Sequence, residues 1–294
     1  MNNRTKGALL VMGAGCLWGT FGILTKTTYA HSTLGPISLA WYRLIFAIPF
    51  IGLVIVIKHY PISVSRREGV LFVGFGFFSL TLFEALYFTS LAYTTVQHAA
   101  ALLYTAPAFV AILSWFLLKE RMTPAKITAI VLSMLGAFLI LGLASNGPLF
   151  ASRTQIGDWL ALSSGLAYSS WYIFGKVLGR NREPAVTSFL GLCIGAAMLF
   201  PLAIALEGLR IPQTLTAWEL VATVGIVPTA IAYLLYLAGL KLIDATTASV
   251  FAIVEPLTAA ILAFFIFQET LSYASFVGFG LIISSIILIS TARN

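Results

Sequence analysis

Ten runs of mostly apolar residues, each about 20 long, follow one another along the chain with only short polar breaks between them. They lie near 7–29, 36–57, 69–91, 96–118, 124–143, 156–178, 186–206, 217–238, 246–266 and 272–291. A run of that length spans the roughly 30 Å hydrocarbon core of a bilayer as a helix, which satisfies its own backbone hydrogen bonds where no water can. The expectation is an all-α integral membrane protein with ten transmembrane helices. Composition agrees: 60% of residues are apolar and 9% charged, against about 25% charged in a soluble domain. No stretch between runs is long enough for an independent soluble domain, and the longest connection, Ala144 to Gln155, is expected to link two halves. The first run follows Arg4 and Lys6 and ends near Thr28-Tyr29-Ala30, loosely like a secretory leader, but it is too long for a leader's apolar core and reads as the first span.

The formal charge of +7 does not point to nucleic acid, because the basic residues sit in short loops where they set orientation. With the N-terminus in the cytoplasm, Arg4, Lys6, Lys58, Arg66, Arg67, Lys119, Arg121, Lys126, Lys176, Arg180, Arg182, Lys241 and Arg293 fall inside, and only Arg153 and Arg210 fall outside. Both termini are then expected to be cytoplasmic. Cys16 and Cys193 lie within apolar runs without a second thiol or histidine at ligand spacing, so they read as small buried hydrophobes, with no metal and no cofactor expected. Enzyme chemistry is not expected either. Asp158 and Asp244 stand at span ends instead of sharing the membrane interior, and the chain has no Gly-x-Ser-x-Gly or His-Glu-x-x-His.

A shift of 149 positions lays Phe83–Leu141 over Ala232–Ser290 without a gap, with about 14 of the 59 pairs identical. Leu86-Tyr87 falls on Leu235-Tyr236, Pro107 on Pro256 and Glu120 on Glu269. The expected units are residues 1–147 and 148–294. Five spans make an odd number of crossings, so the second copy must start from the opposite side of the membrane and the repeats are inverted. Loop charges point the same way: Lys119, Arg121 and Lys126 follow span four, whereas Gln268-Glu269-Thr270 after span nine holds no base. Inverted repeats are a common plan of secondary transporters, since one unit facing both ways makes the two open states near mirror images.

Several features together resemble the EamA branch of the drug/metabolite transporter superfamily over the whole chain. They are Leu17-Trp18-Gly19 in span one, Trp41-Tyr42-Arg43 in span two, and the duplicated Pro with a Glu thirteen residues on, in Leu118-Lys119-Glu120-Arg121 and Phe267-Gln268-Glu269-Thr270. Within that branch the chain is similar to YddG-type exporters of aromatic amino acids. The resemblance implies ten helices around a central substrate cavity, lined mainly by spans one, three, four, six, eight and nine, in a bacterial inner membrane. It also implies export of amino acids or similar metabolites, with protons as a candidate coupling ion. Nucleosides, drugs or a channel for small solutes remain open alternatives. At the duplicated Pro the copies part: the first has Ala106-Pro107, the second Glu255-Pro256.

A charge at mid-membrane costs roughly 2.5–3.5 kcal/mol on insertion scales, so each must be paired or face a wet cavity. Glu84, Arg43 and Lys26 fall in the same half of the membrane, which predicts that Glu84 pairs with Arg43 or Lys26. Lys26 can alternatively snorkel to headgroups. Glu255 has no evident partner at its depth, which suits a substrate ammonium or proton exchange. His98, at the start of span four, is either a relay or donor in the cavity or a hydrogen-bonded helix-end residue. Pro107 and Pro256 are candidate hinges. Trp18, Tyr87, Tyr104, Tyr168, Trp171, Tyr233 and Tyr236 sit within spans instead of at their ends, where interfacial belts place such rings, and so are candidate cavity residues.

Overall fold

The structure, a computed structural model, describes residues 2–142 and 147–292; Arg293 and Ala144, the first residue of the expected linker, lie outside the described residues. Ten helical rods form among the described residues: α1 (Asn3–His31), α2 (Pro36–Lys58), α3 (Arg66–Ser90), α4 (Val96–Leu118), α5 (Pro124–Ile140), α6 (Gln155–Leu178), α7 (Pro184–Glu207), α8 (Leu215–Leu240), α9 (Ala245–Phe267) and α10 (Tyr273–Thr291). Eight are long and apolar enough to cross a membrane. The other two are α5, apolar but 17 residues long, and α6, whose 24 residues include Asp158, Lys176 and four serines.

The polarity of α6 is spent inside the protein. Ser170 shares a 2.6 Å hydrogen bond with Ser79 of α3, and Lys176 donates to the carbonyls of Leu240, the last residue of α8, and Ile243 just past it, at 2.7 and 2.6 Å. Rod starts follow local rules. Thr95, Thr123, Thr214 and Ser272 cap α4, α5, α8 and α10 with side-chain oxygens, and Pro36, Pro124 and Pro184 occupy first helical positions, where a missing N–H costs nothing. Arg4 donates to the Ile289 and Ala292 carbonyls, both at 2.6 Å, so the two ends of the chain meet at one end of the bundle. That end is called the terminal end below, and the opposite one the far end.

Packing obeys an exchange rule. α1 lies on α8 and α3 on α6; α2 pairs with α7 and α5 with α10; α4 lies on α6 and α9 on α1. Swapping the first five rods for the last five maps these pairs onto one another. Backbone irregularities repeat as well. α4 breaks at Tyr104 (φ −72, ψ 6) and α9 at Ile253 (φ −70, ψ 1). In each case a proline three residues on, Pro107 or Pro256, lacks the N–H that would reach back four residues and crowds the preceding turn. α3 and α8 each widen into π turns, at Phe75–Leu82 and Ile226–Ile231. There Thr81 donates to Gly76 O at 3.1 Å and Thr229 to Val224 O at 3.0 Å, each hydroxyl reaching a carbonyl five residues back. α4 and α9 end on left-handed residues at matching places, Lys119 (φ 59) and Gln268 (φ 56).

α5 and α10 approach closely through facing glycines. A Cβ on Gly136 would stand 2.8 Å from Gly278 O, and one on Gly278 2.6 Å from Gly136 O. Where lipid supplies no hydrophobic drive between helices, such small-residue contacts let dispersion hold the pair. The halves differ in their first rods: α1 bends at Thr20, whose hydroxyl donates to Leu17 O at 2.7 Å, whereas α6 runs unbroken.

Candidate functional site

A cavity of about 870 Å³, counting its open mouth, lies between α1, α2, α3, α4, α6, α8 and α9. Its lining reaches Phe88 near the far end of α3 and Ala100 near the far end of α4, so it extends towards the far end. In the other direction it stops at a layer formed by Trp18, Trp171 and Tyr233. Trp171 and Tyr233 pack in a tilted pair with ring centroids 4.2 Å apart, and Trp18 meets Tyr233 edge-on at 6.3 Å. Tyr236 lies one layer deeper, fully buried and packed on Trp18 (5.2 Å) and Tyr172 (5.3 Å). The Trp171 indole N–H and the Tyr236 hydroxyl have no hydrogen-bond partner among the described residues.

Three formally charged side chains line the cavity: Arg43, Glu84 and Glu255. Nη2 of Arg43 pairs directly with Oε1 of Glu84, both side chains almost fully buried, and the Arg43 guanidinium also lies over the Phe21 ring at 5.3 Å. In a low-dielectric site such a pair stands only because each charge cancels the other's desolvation. Glu255 enters at the second residue of the helix that restarts after the Ile253 break. It has no basic partner among the described residues, and Tyr104 shares the cavity lining with it. The breaks thus serve the site on both sides: Tyr104 is the break residue of α4, and Glu255 follows the break of α9 by two.

Of the residues singled out from the sequence, Trp18, Glu84, Tyr87, Tyr104, Tyr168, Trp171, Tyr233 and Glu255 line the cavity, and Arg43 joins them. Phe21, Phe83 and Phe88 line it too and were not expected, because phenylalanine in an apolar run carries no polar tip to mark it out. The other residues singled out lie elsewhere. Tyr236 belongs to the layer beneath the cavity. Lys26 does not pair with Glu84; it meets Glu269 at 3.0 Å and lies 3.9 Å from the centre of the Phe267 ring, with both charged side chains more than half exposed. His98 is not in the cavity lining. Its Nδ1 lies 3.3 Å from Asp158, a fully buried carboxylate that also accepts from Thr94 Oγ1 (2.6 Å), Thr154 Oγ1 (2.9 Å) and Phe150 N (2.7 Å). This hub ties the start of α4 to that of α6. Pro107 and Pro256 are outside the lining and act on it through the breaks. Cys16 is exposed and Cys193 partly so, since an apolar side chain in such a bundle can face outwards as readily as inwards.

Carboxylates also secure both ends of the bundle. Glu207, closing α7, accepts from Ile37 N (2.9 Å), Ser38 N (2.8 Å) and Ser38 Oγ (2.7 Å), capping α2 at the far end. Glu120, just past α4, accepts from Ala245 N (2.7 Å), Thr246 N (3.1 Å) and Thr246 Oγ1 (2.8 Å), capping α9 at the terminal end. Beside it Lys126 donates to Asp244 at 2.8 Å and to Arg121 O at 3.1 Å. The terminal end below the aromatic floor is therefore latched by ionic and helix-capping contacts, while the cavity extends the other way.

Apolar rods around an aromatic cavity that holds charges in its depth define a multi-pass membrane transporter. The profile of the EamA-like transporter family matches the chain twice, over residues 5–142 and 155–291, and the chain belongs to that family. Similar proteins include an uncharacterized transporter of Archaeoglobus fulgidus, 28% identical over 100% of this chain and 99% of its own length. The transporter YwfM of Bacillus subtilis is 27% identical (97% and 94% covered), and the inner membrane transporter YicL of Salmonella typhimurium 25% (99% and 97%). A solved crystal structure, 21% identical, superposes at a TM-score of 0.83 over 97% of this chain and 98% of the other, which shows a shared fold.

Proposed function

We propose that this transporter is a secondary carrier of a bacterial inner membrane, exporting amino acids, aromatic ones foremost, by alternating access. In this reading all ten rods cross the bilayer as two inverted repeats, residues 1–147 and 148–294, with the terminal end in the cytoplasm. The exchange rule in the packing and the twin breaks of α4 and α9 support the inversion. Lys119, Arg121, Lys126, Lys176, Arg180 and Lys241 cluster at the terminal end, which supports the orientation. The substrate sits in the aromatic cavity with its ring between side-chain rings and its ammonium at Glu255. The observation that carries the reading is that carboxylate, placed at a helix break among aromatic rings with no cation among the described residues to satisfy it. Rocking of the halves about the site would open the terminal end as the far end closes, and protons are a candidate coupling ion.

The test is uptake of radiolabelled phenylalanine, tryptophan, threonine and a nucleoside into proteoliposomes, comparing the intact protein with Glu84→Gln and Glu255→Gln. Saturable amino acid uptake with counterflow, lost in a variant that stays folded, is expected. Uptake no greater than that of empty liposomes would overturn the substrate assignment. Unsaturable flux without counterflow would replace a carrier by a channel.

A further inference from the structure

The charge of the cavity does not balance. Arg43 and Glu84 contact each other directly and cancel, which leaves Glu255 as one carboxylate with no cation among the described residues to neutralise it. Nine of the fifteen lining residues are aromatic, and the faces of aromatic rings are electronegative and attract cations, most strongly where water is excluded. Trp18, Trp171 and Tyr233 form the floor, and Tyr104 lines the same cavity as Glu255. One carboxylate among ring faces, ionised when a cation sits beside it, complements a single positive charge on an apolar body.

We infer that the cavity selects organic monocations, amines carrying an apolar or aromatic group, over zwitterions and anions of the same shape. The inference rests on the carrier reading above, with its site at Glu255, and departs from it in the substrate, which becomes an amine without a carboxylate. A zwitterion brings a carboxylate whose only cationic partner in the lining is Arg43, already held by Glu84. To reach it, the substrate must crowd a second carboxylate onto Arg43 or pull Glu84 away and strand it in a buried site, which is strongly unfavourable. A monocation meets neither obstacle. It neutralises Glu255 and leaves the Arg43–Glu84 pair intact.

Phenylalanine, 2-phenylethylamine and phenylacetate share one ring and differ only in which charges they carry. Titrated calorimetrically into the purified protein, 2-phenylethylamine is expected to bind about tenfold more tightly than phenylalanine, with phenylacetate the weakest. Glu255→Gln is expected to remove the advantage of the amine. Glu84→Gln, which frees Arg43, is expected to move the preference the other way by improving phenylalanine and phenylacetate. The comparison on the unaltered protein needs no variant to fold. Phenylalanine binding as tightly as the amine would overturn the inference and leave the amino acid carrier standing. Absence of binding by all three would overturn the inference, and phenylalanine counterflow in proteoliposomes then shows whether the carrier reading stands or falls with it.

Discussion

Glu120 and Glu269 hold matching places in the two halves, yet the molecule uses them differently. Each follows a left-handed residue that ends its rod, and each returns its own N–H to a carbonyl six residues back, Ser114 at 3.1 Å and Ala263 at 3.4 Å. From these twin positions Glu120 reaches across to α9 and takes two amides and a hydroxyl. Among the described residues, the Glu269 carboxylate meets only Lys26, on the bundle surface. The residues that correspond to Ala245 and Thr246 are Val96 and Gln97, and the start of α4 is capped by its own Thr95, not by a carboxylate from the other half. Twin local chemistry with unequal engagement is what a carrier caught with one end shut should show. In the carrier reading proposed above, the asymmetry belongs to the conformation as much as to the residues.

Four experiments would break or sharpen this comparison. The largest effect is expected from trapping. In protein with Cys16 and Cys193 replaced, the pair E269C and Q97C should cross-link poorly at rest and in high yield when the terminal end opens, as exchange of the halves requires. A high yield at rest would remove the asymmetry, and none in any state would remove the exchange. Next, Glu120→Ala leaves two amides and a hydroxyl unmet at the start of α9 and should cost about 3 kcal/mol or more, since hydrogen bonds to a charged group contribute about 1.5–3 kcal/mol each and these three share one carboxylate. Thermal unfolding in detergent reads it. Asp244→Ala strips the nearly buried Lys126 ammonium of its carboxylate but leaves Arg121 O, so a loss of about 1–2 kcal/mol is expected in the same assay. Glu269→Ala removes an exposed pair and should fall below about 1 kcal/mol. If Glu269→Ala destabilised the resting protein as much as Glu120→Ala, the comparison would fail.

Much of this architecture was legible because lipid imposes strong rules. The apolar runs located all ten rods within a few residues, and the duplicated prolines, spaced alike in both halves, flagged the two breaks. The cost of an unpaired charge in an apolar run brought Arg43 to Glu84 and left Glu255 without a base. Orientation of side chains was harder to read. In a soluble helix the buried face stands out as an apolar stripe with a period near 3.6 residues, but a membrane helix is apolar on both its lipid and its core side, and that signal fades. So Cys16 faces outwards and Tyr236 lies under the floor instead of in the cavity, and nothing in their local sequence distinguishes these fates. Glu120 stood out by its duplication, yet its role depends on backbone amides of α9, which no residue name reveals. Asp158, set aside as a span-end residue, proved a fourfold acceptor because three of its four partners come from α4 and from the loops before α4 and α6, and only Thr154 lies one turn away.

The short rod α5 has a consequence for the membrane itself. At about 1.5 Å per residue, its 17 residues extend roughly 25 Å, and the 19 residues of its partner α10 roughly 28 Å, against a hydrocarbon core of about 30 Å. If both cross the bilayer, lipids along that flank must compress to meet them, and a thicker bilayer raises the strain ångström by ångström. This edge would act as a gauge of thickness, favouring thin or fluid surroundings and pressing the protein towards neighbours of similar hydrophobic length.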